Sequence, residues 1–182
     1  MTIFGIDPGS LRTGYGCIES DGRRHRLVSC GAIQPPPKAA LPDRLSRIFD
    51  ELSRLIAVAS PDCIVVENLF HAKNVRSALK LGHARGVALL AASEAGLMVV
   101  EYAPAEIKRA VVGYGRAEKP QVGQMVKLLL GLDEAPTPHD VADALAVAIC
   151  HLHSSTGAVA ETVRQHRAPR GTPRSWREYR PS

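Results

Sequence analysis

MTIFGIDPGSLRTGYG, residues 1–16, begins as a buried strand and reaches a second strand through a short polar turn. The apolar side chains of Ile3 and Ile6 are typical of a strand in a protein core, yet that strand ends on Asp7. Turn chemistry explains this aspartate, because proline and glycine follow it and an aspartate side chain caps such turns. A second explanation, that Asp7 is placed at a strand end for chemistry, depends on the rest of the chain.

Strand and helix patterns succeed one another along the sequence. Three strand-like segments separated by turns predict an antiparallel meander; they read IFGIDPG, TGYGCIES and HRLVSCGAI. Residues 42–60 repeat apolar side chains at i, i+3 and i+4, which predicts an amphipathic helix, and the buried strand CIVVEN follows. Further helical patterns cover 74–96, 104–113, 119–131 and 139–153, with the strand LMVVEYA after the first of them. We therefore predict an α/β fold with a mixed five-stranded sheet, three antiparallel strands and then parallel ones, flanked by helices.

Length and composition fit one globular domain, since the chain has 182 residues of which 45% are hydrophobic. Its apolar runs are far shorter than the roughly 20 residues that a membrane span needs. The chain also enters its first strand without a signal peptide, so we expect a cytoplasmic protein with no membrane association. The four cysteines lie apart in apolar stretches, which predicts reduced thiols in or near the core; they are Cys17, Cys30, Cys63 and Cys150.

The positive charge is concentrated at the end of the chain. Residues 156–182 contain six arginines and two glutamates, which accounts for +4 of the net charge of +5. This segment is rich in proline and glycine and has little apolar periodicity, so we predict one globular domain over 1–155 and a disordered basic tail over 156–182. The tail is either a solvated terminus or a cationic arm that attracts nucleic acid.

Three further acids lie, like Asp7, at or near the end of a predicted strand or helix. Glu67 ends the apolar run of CIVVEN, and ligand sites of α/β sheets lie outside the carboxyl ends of strands. Asp140 and Asp143 share one face of the last predicted helix. An acid near a helix N-terminus stabilises the helix, which explains Asp140 structurally but leaves Asp143 unexplained.

If these four carboxylates converge, they need a cation. Two unit charges about 4 Å apart repel by roughly 4 kcal/mol at an effective dielectric of 20. A marginally stable domain does not retain several such repulsions without neutralisation. A ligand set made only of carboxylate oxygens suits Mg²⁺ or Mn²⁺, and two such ions serve the in-line hydrolysis of a phosphodiester. Whether the four carboxylates do converge is a question for the structure.

The helix predicted over 74–96 has an apolar face that contains Gly82 and Gly86 in a GxxxG step. Each glycine costs a helix about 1 kcal/mol relative to alanine, so a close approach to the sheet or to a partner helix is expected at this face. A basic stripe runs along the other face and is either a solvated surface or a track for a phosphate backbone. It consists of Lys73, Arg76, Lys80 and His83.

Four ordered motifs give the chain a resemblance to a known family. They read GIDPGSxxTGYG, VVENLFxAKNxxSALKLGxARG, EYAPAxxKxxVVGxGxAEKxQV and HDVADALAxA. From about Thr2 to His153 the sequence closely resembles the RuvC family of bacterial Holliday-junction resolvases, which belong to the ribonuclease-H-like superfamily.

The resemblance implies an endonuclease that resolves Holliday junctions in recombination and repair, with metal ions held by Asp7, Glu67, Asp140 and Asp143. It also implies that Phe70 lies at the junction centre and that Lys108 and Lys119 face the DNA. Some family members carry histidine at the position of Asp140, so a helper role for His139 is a further hypothesis. By the same resemblance the partners are four-way DNA junctions, a second copy of the chain and the RuvA–RuvB branch-migration complex.

Phe70 also fits this function on physical grounds, because stacking an exposed aromatic ring on an unpaired base contributes about 1 to 3 kcal/mol. A four-way junction has two-fold symmetry and needs paired nicks on strands of like polarity, which favours a C₂ dimer with Gly82 and Gly86 at its interface.

Two alternatives belong to other classes. The segment DPGSxxTG resembles the phosphate loop of actin-like ATPases, but the chain is too short for their duplicated domain. A junction-binding module without catalysis is the other alternative, although all four acids are present.

Overall fold

The computed structural model describes residues 1–68 and 75–154, and these form five strands and five helices. The strands and helices along the chain are β1 (Thr2–Asp7), β2 (Thr13–Ser20), β3 (His25–Ile33), α1 (Leu41–Ala59), β4 (Cys63–Glu67), α2 (Val75–Glu94), β5 (Val99–Tyr102), α3 (Pro104–Val112), α4 (Lys119–Leu130) and α5 (His139–Ser154). The predicted tail over 156–182, together with Phe70 and Lys73, lies outside the described residues.

The five strands form one mixed sheet in the order β3-β2-β1-β4-β5. The first three strands pair antiparallel as a meander, while β1 pairs parallel with β4 and β4 pairs parallel with β5. This arrangement confirms the predicted α/β fold and its mixed five-stranded sheet. Because β1 and β4 are parallel neighbours in the middle of the sheet, their carboxyl ends lie at the same edge.

Helices cover both faces of the sheet, and the alternation of side chains along each central strand divides the core in two. Ile3 and Val65 pack on one face with buried residues of α3, α4 and α5. Phe4 and Val66 pack on the other face with α1 and α2. Burial on both faces explains why β1 and β4 are almost entirely apolar until their last residue.

Helix α5 packs unusually close to the meander. Its residues are buried at every position from Val141 to Leu152 except Asp143, so it is a central element of the core. A Cβ atom on Gly5 of β1 would lie 2.1 Å from the Ala144 carbonyl oxygen, and one on Gly14 of β2 would lie 2.0 Å from that of Asp140. Only glycine permits this contact, and the contact brings the first turn of α5 onto the ends of β1 and β2.

Helix α2 buries a narrow face made of Ala84, Ala88, Ala91 and Ala92. Gly82 and Gly86 lie on a different face of the helix, because a Cβ built on either residue meets no heavy atom of the described chain within 4 Å. A close approach of α2 to the sheet therefore does not explain the GxxxG step. Leu79 is 59% exposed and Leu90 is 47% exposed, so large apolar side chains flank the glycines on the surface.

The cysteines match the prediction from their surroundings. All four are free, with Cys17, Cys63 and Cys150 buried and Cys30 half-buried. Burial raises the pKa of the Cys17 thiol to about 11 and that of Cys63 to about 12, so both are protonated and unreactive at neutral pH. Within residues 1–68 and 75–154, none of the helices is both long and apolar enough to span a membrane.

Candidate active site

Asp7 and Glu67 are the last residues of β1 and β4. The register pairs Ile6 with Val66, so the two acids occupy equivalent positions at the ends of adjacent parallel strands. Each strand is buried up to this point, and each acid is half-buried where the chain leaves the sheet. The sequence therefore places both carboxylates at the carboxyl edge of the sheet, where α/β proteins bind their ligands.

Helix α5 adds Asp140 and Asp143 to the same edge. Asp7 pairs with Gly14 in the β1–β2 ladder, and Gly14 contacts the backbone of Asp140. The first turn of α5 is thereby fixed beside the end of β1. Since Asp143 lies three residues after Asp140, both side chains project from the same side of the helix.

Electrostatics shows that the four acids interact. Burial, followed by the charges of Glu67, Asp143 and Asp140, raises the pKa of Asp7 from 3.8 to about 8. Burial and the charge of Asp143 raise the pKa of Glu67 from 4.5 to about 7. Perturbations of this size, in carboxylates gathered at the end of a sheet, are typical of functional sites.

Two basic side chains already bind carboxylates of this group. Lys119, the first residue of α4, donates from Nζ to Asp143 Oδ2 at 2.6 Å. Arg12 donates from Nη1 to Asp140 Oδ2 at 3.3 Å, and it reaches this atom from the loop between β1 and β2. Arg12 is a site residue that the sequence analysis missed. The available signal was its position, because a turn that starts at Asp7 must keep its residues close to that end of the sheet.

A cleft of about 260 Å³ opens between these groups. Charged side chains from five elements line it together with apolar residues; its lining is Asp7, Glu67, Pro104, Ile107, Lys108, Lys119, Val122, Asp143 and Ala146. Lys108 and Lys119 lower the pKa of Glu67 and so act on its charge from across the cleft. Three of the four predicted acids thus share one cavity with Lys108 and Lys119, the two lysines that the family resemblance places toward the DNA.

The donor set fits a hard divalent cation, because every ligand that the acids offer is an oxygen and their mutual repulsion favours a positive charge between them. In the arrangement described, with Lys119 on Asp143 and Arg12 on Asp140, no three acids, histidines or cysteines among residues 1–68 and 75–154 already have metal-holding geometry. Arg12 and Lys119 therefore compete with a metal ion for Asp140 and Asp143.

The other predicted site residues lie outside the cleft. Arg76 and Lys80 are exposed on the first turns of α2, and His139 is exposed as the first residue of α5. Gly82 and Gly86 lie on the surface face of α2 described above. The roles predicted for these five residues stay predictions.

A mixed sheet in this order, with acids at the ends of β1 and β4 and a further acidic pair on the helix that crosses it, defines a nuclease of the ribonuclease-H-like class. The profile of the family described as "Crossover junction endodeoxyribonuclease RuvC" matches residues 3–151. The chain belongs to this RuvC family and is therefore an enzyme of the nuclease class.

Individual relatives agree with the family match. The RuvC of Heliobacterium modesticaldum is 54% identical over 160 residues, which cover 88% of this chain and 99% of that protein. The RuvC of Syntrophotalea carbinolica is 58% identical over 153 residues, with 84% and 94% covered. A solved structure described as "T. thermophilus RuvC in complex with Holliday junction substrate" has a TM-score of 0.81 at 36% identity, covering 85% of this chain and 94% of that one. This likeness confirms the ribonuclease-H-like fold.

Proposed function

We propose that this enzyme resolves Holliday junctions by cutting phosphodiester bonds with divalent metal ions bound at the ends of β1 and β4. The observation that carries the proposal is the electrostatic coupling of Asp7 to Glu67, Asp140 and Asp143 at one edge of the sheet. Membership of the RuvC family supports the substrate, as does the structural likeness to the T. thermophilus protein, whose described complex contains a Holliday junction.

The chain's own residues would hold two ions of Mg²⁺ or Mn²⁺. Asp7 is the shared ligand in this arrangement, because it is coupled to all three other acids, while Glu67 and Asp143 line the same cleft. When bound, the metal ions supply an activated water and neutralise charge on the leaving oxygen. Asp7 and Glu67 must lose their protons to serve as ligands, which a nearby cation favours by lowering their pKa.

Basic residues around the cleft would position the DNA. Lys108 and Lys119 line the cavity itself, so they can contact phosphates next to the bond that is cut. Arg76 and Lys80 lie on the exposed start of α2 and suit the phosphate backbone farther from the site. We further propose that Phe70 stacks on an unpaired base at the junction centre, that Lys73 adds to the basic stripe, and that His139 assists at Asp140.

A symmetric junction calls for two active sites, and we propose a C₂ dimer that makes paired nicks on strands of like polarity. The exposed face of α2 supports this, because Gly82 and Gly86 permit a close approach and no described residue covers them. Gly86→Arg should convert the dimer to a monomer in sedimentation, while Ala57→Arg on the exposed side of α1 should not. A parent protein that sediments as a monomer contradicts the dimer.

Further proposals concern the cellular setting. The enzyme acts at the nucleoid in the bacterial cytoplasm, where its substrate is found, together with the RuvA–RuvB branch-migration complex. Both statements follow from the family resemblance.

The function is tested with a synthetic four-way junction. The parent protein should cut it symmetrically with Mg²⁺ and not at all in EDTA. Glu67→Gln keeps the size of the side chain but removes a ligand charge, so it should abolish cleavage and retain junction binding. Glu94→Gln, an equal change on the exposed end of α2, serves as the matched control and should cut like the parent. Metal-independent cutting, or full activity of Glu67→Gln, contradicts the proposal.

A further inference from the structure

The loop between β1 and β2 is built around a buried threonine. Thr13 is fully buried, and its hydroxyl donates to the Gly9 carbonyl at 2.8 Å and accepts from the Gly9 amide at 3.2 Å. These two hydrogen bonds close the loop at its base. Arg12, the residue directly before Thr13, is therefore held at a defined position beside the carboxylates.

The guanidinium of Arg12 is held on both of its edges. Its Nη1 donates to Asp140 Oδ2 at 3.3 Å. With the Gln34 amide turned so that its oxygen faces Arg12, that oxygen accepts from Nε at 2.6 Å and from Nη2 at 3.0 Å. This orientation is the one that pairs donors with an acceptor, and Gln34 directly follows β3, so the guanidinium is fixed from a strand end.

The two contacts of Arg12 differ in what happens when a cation binds. A cation held by Asp140 competes with Arg12 for this carboxylate and repels the guanidinium, so metal binding weakens the contact of Nη1 with Asp140. Gln34 is neutral and is not one of the predicted metal ligands, so its hydrogen bonds to Nε and Nη2 of Arg12 persist. The N–H groups on that edge are then available beside Asp140 from a guanidinium that is already oriented, and such a group binds phosphate strongly. The side chain is 43% exposed, so DNA can reach it.

We propose that Arg12 is a substrate-positioning residue with two partners. In the metal-free enzyme it pairs with Asp140, and once Asp140 holds a cation it binds a phosphate of the strand that is cut, with Gln34 keeping its orientation. This inference rests on the proposed function, because it requires that the cleft receives metal ions and a DNA strand.

The first test is metal binding without DNA. Arg12→Met removes the cation that competes for Asp140, so Mn²⁺ should bind about two- to fivefold more tightly in calorimetry, as expected for an exposed ion pair. Arg23→Met removes the same charge from the exposed turn between β2 and β3 and should leave the affinity unchanged. Equal Mn²⁺ affinities of Arg12→Met and the parent overturn the first half of the proposal.

The second test is the salt dependence of junction binding, measured with Ca²⁺ under conditions checked for the absence of cutting, and again in EDTA. One lost phosphate contact lowers the slope of log affinity against log salt by about 0.9 on duplex DNA. Arg12→Met should show this loss with Ca²⁺. In EDTA the loss should be much smaller, because the arginine of the parent protein then stays paired with Asp140. An equal loss in both conditions overturns the second half.

The third test separates charge from orientation. Gln34→Leu keeps the arginine but frees its guanidinium, so single-turnover cutting with Mg²⁺ should fall about tenfold or more while the salt slope stays near that of the parent. Arg12→Lys should recover the slope but only part of the rate, because it lacks the planar fork. Parent rates in both variants overturn the positioning role. If the parent itself does not cut junctions, the proposed function fails, whereas the Mn²⁺ comparison still reports on Arg12.

Discussion

Replacing Asp7 by asparagine should stabilise the metal-free protein at pH 8 and leave it nearly unchanged at pH 5. Asp7 has a pKa of about 8 in the folded protein, against 3.8 as its ordinary value. The folded state therefore binds more protons than the unfolded state between these values. The stabilising contribution of the protonated carboxyl is complete below pH 3.8 and is lost as the pH rises toward 8.

The magnitude follows from the size of the pKa shift. One unit corresponds to about 1.4 kcal/mol, so a fully independent Asp7 would destabilise the protein by about 4 kcal/mol between pH 5 and pH 8. Asp7 is partly exposed and Glu67 titrates beside it, so we expect about half of that, roughly 2 kcal/mol. For a chain of this size, a change of this magnitude in the free energy of unfolding shifts Tm by about 4 to 8 °C.

The assay is thermal unfolding in EDTA at pH 5 and pH 8. Asp7→Asn should exceed the parent Tm by about 4 to 8 °C at pH 8 and by much less at pH 5. Asp50→Asn removes a charge from the exposed side of α1 and is the matched control. Adding Mg²⁺ at pH 8 should then raise the Tm of the parent more than that of Asp7→Asn, because binding to the folded state alone is stabilising.

A Tm difference between Asp7→Asn and the parent that is the same at both pH values would refute this reasoning. It would mean that burial and the neighbouring carboxylates do not raise the pKa of Asp7. An Asp7→Asn variant that is less stable at pH 8 would show that the carboxylate makes net favourable contacts, and the cation requirement of the site would lose its physical basis.

Three further predictions address positioning and binding. Phe70→Ala should bind the junction nearly as tightly as the parent but cut it far more slowly, with Phe70→Tyr retaining more activity, since stacking contributes only about 1 to 3 kcal/mol to affinity; equal losses of binding and cutting contradict it. Arg85 pairs with Glu101 at 2.6 Å and holds α2 to β5. Arg85→Met and Glu101→Gln should each lower the Tm, and the double variant should fall short of their sum by about 0.5 to 3 kcal/mol, measured by chemical denaturation, whereas strict additivity argues against the pair. Deleting residues 156–182 should leave folding and cutting intact and flatten the salt dependence of junction binding, and an unchanged slope would make the tail a plain solvated terminus.

Local patterns were sufficient to predict the elements of this fold. Strand and helix periodicity depends on which side chains are buried, and in β1 and β4 burial on both faces makes the sequence apolar until the final acid. Since parallel strands end at one edge, the pairing of Asp7 with Glu67 was also predictable from the order of the elements. The family motifs carried the same four acids, and the electrostatic coupling of those acids agrees with that selection.

Contacts between distant segments were decided only by tertiary packing. The packing of α5 against Gly5 and Gly14 joins segments that lie more than a hundred residues apart in the chain. The ion pair of Arg12 with Asp140 spans 128 residues, and no periodicity marks Arg12 as a site residue. The glycines of α2 were ambiguous for the same reason, because a sequence shows that a helix face is small but not what lies against it. Such contacts arise from the way whole elements pack together, and a local pattern carries no information about the surface on the other side.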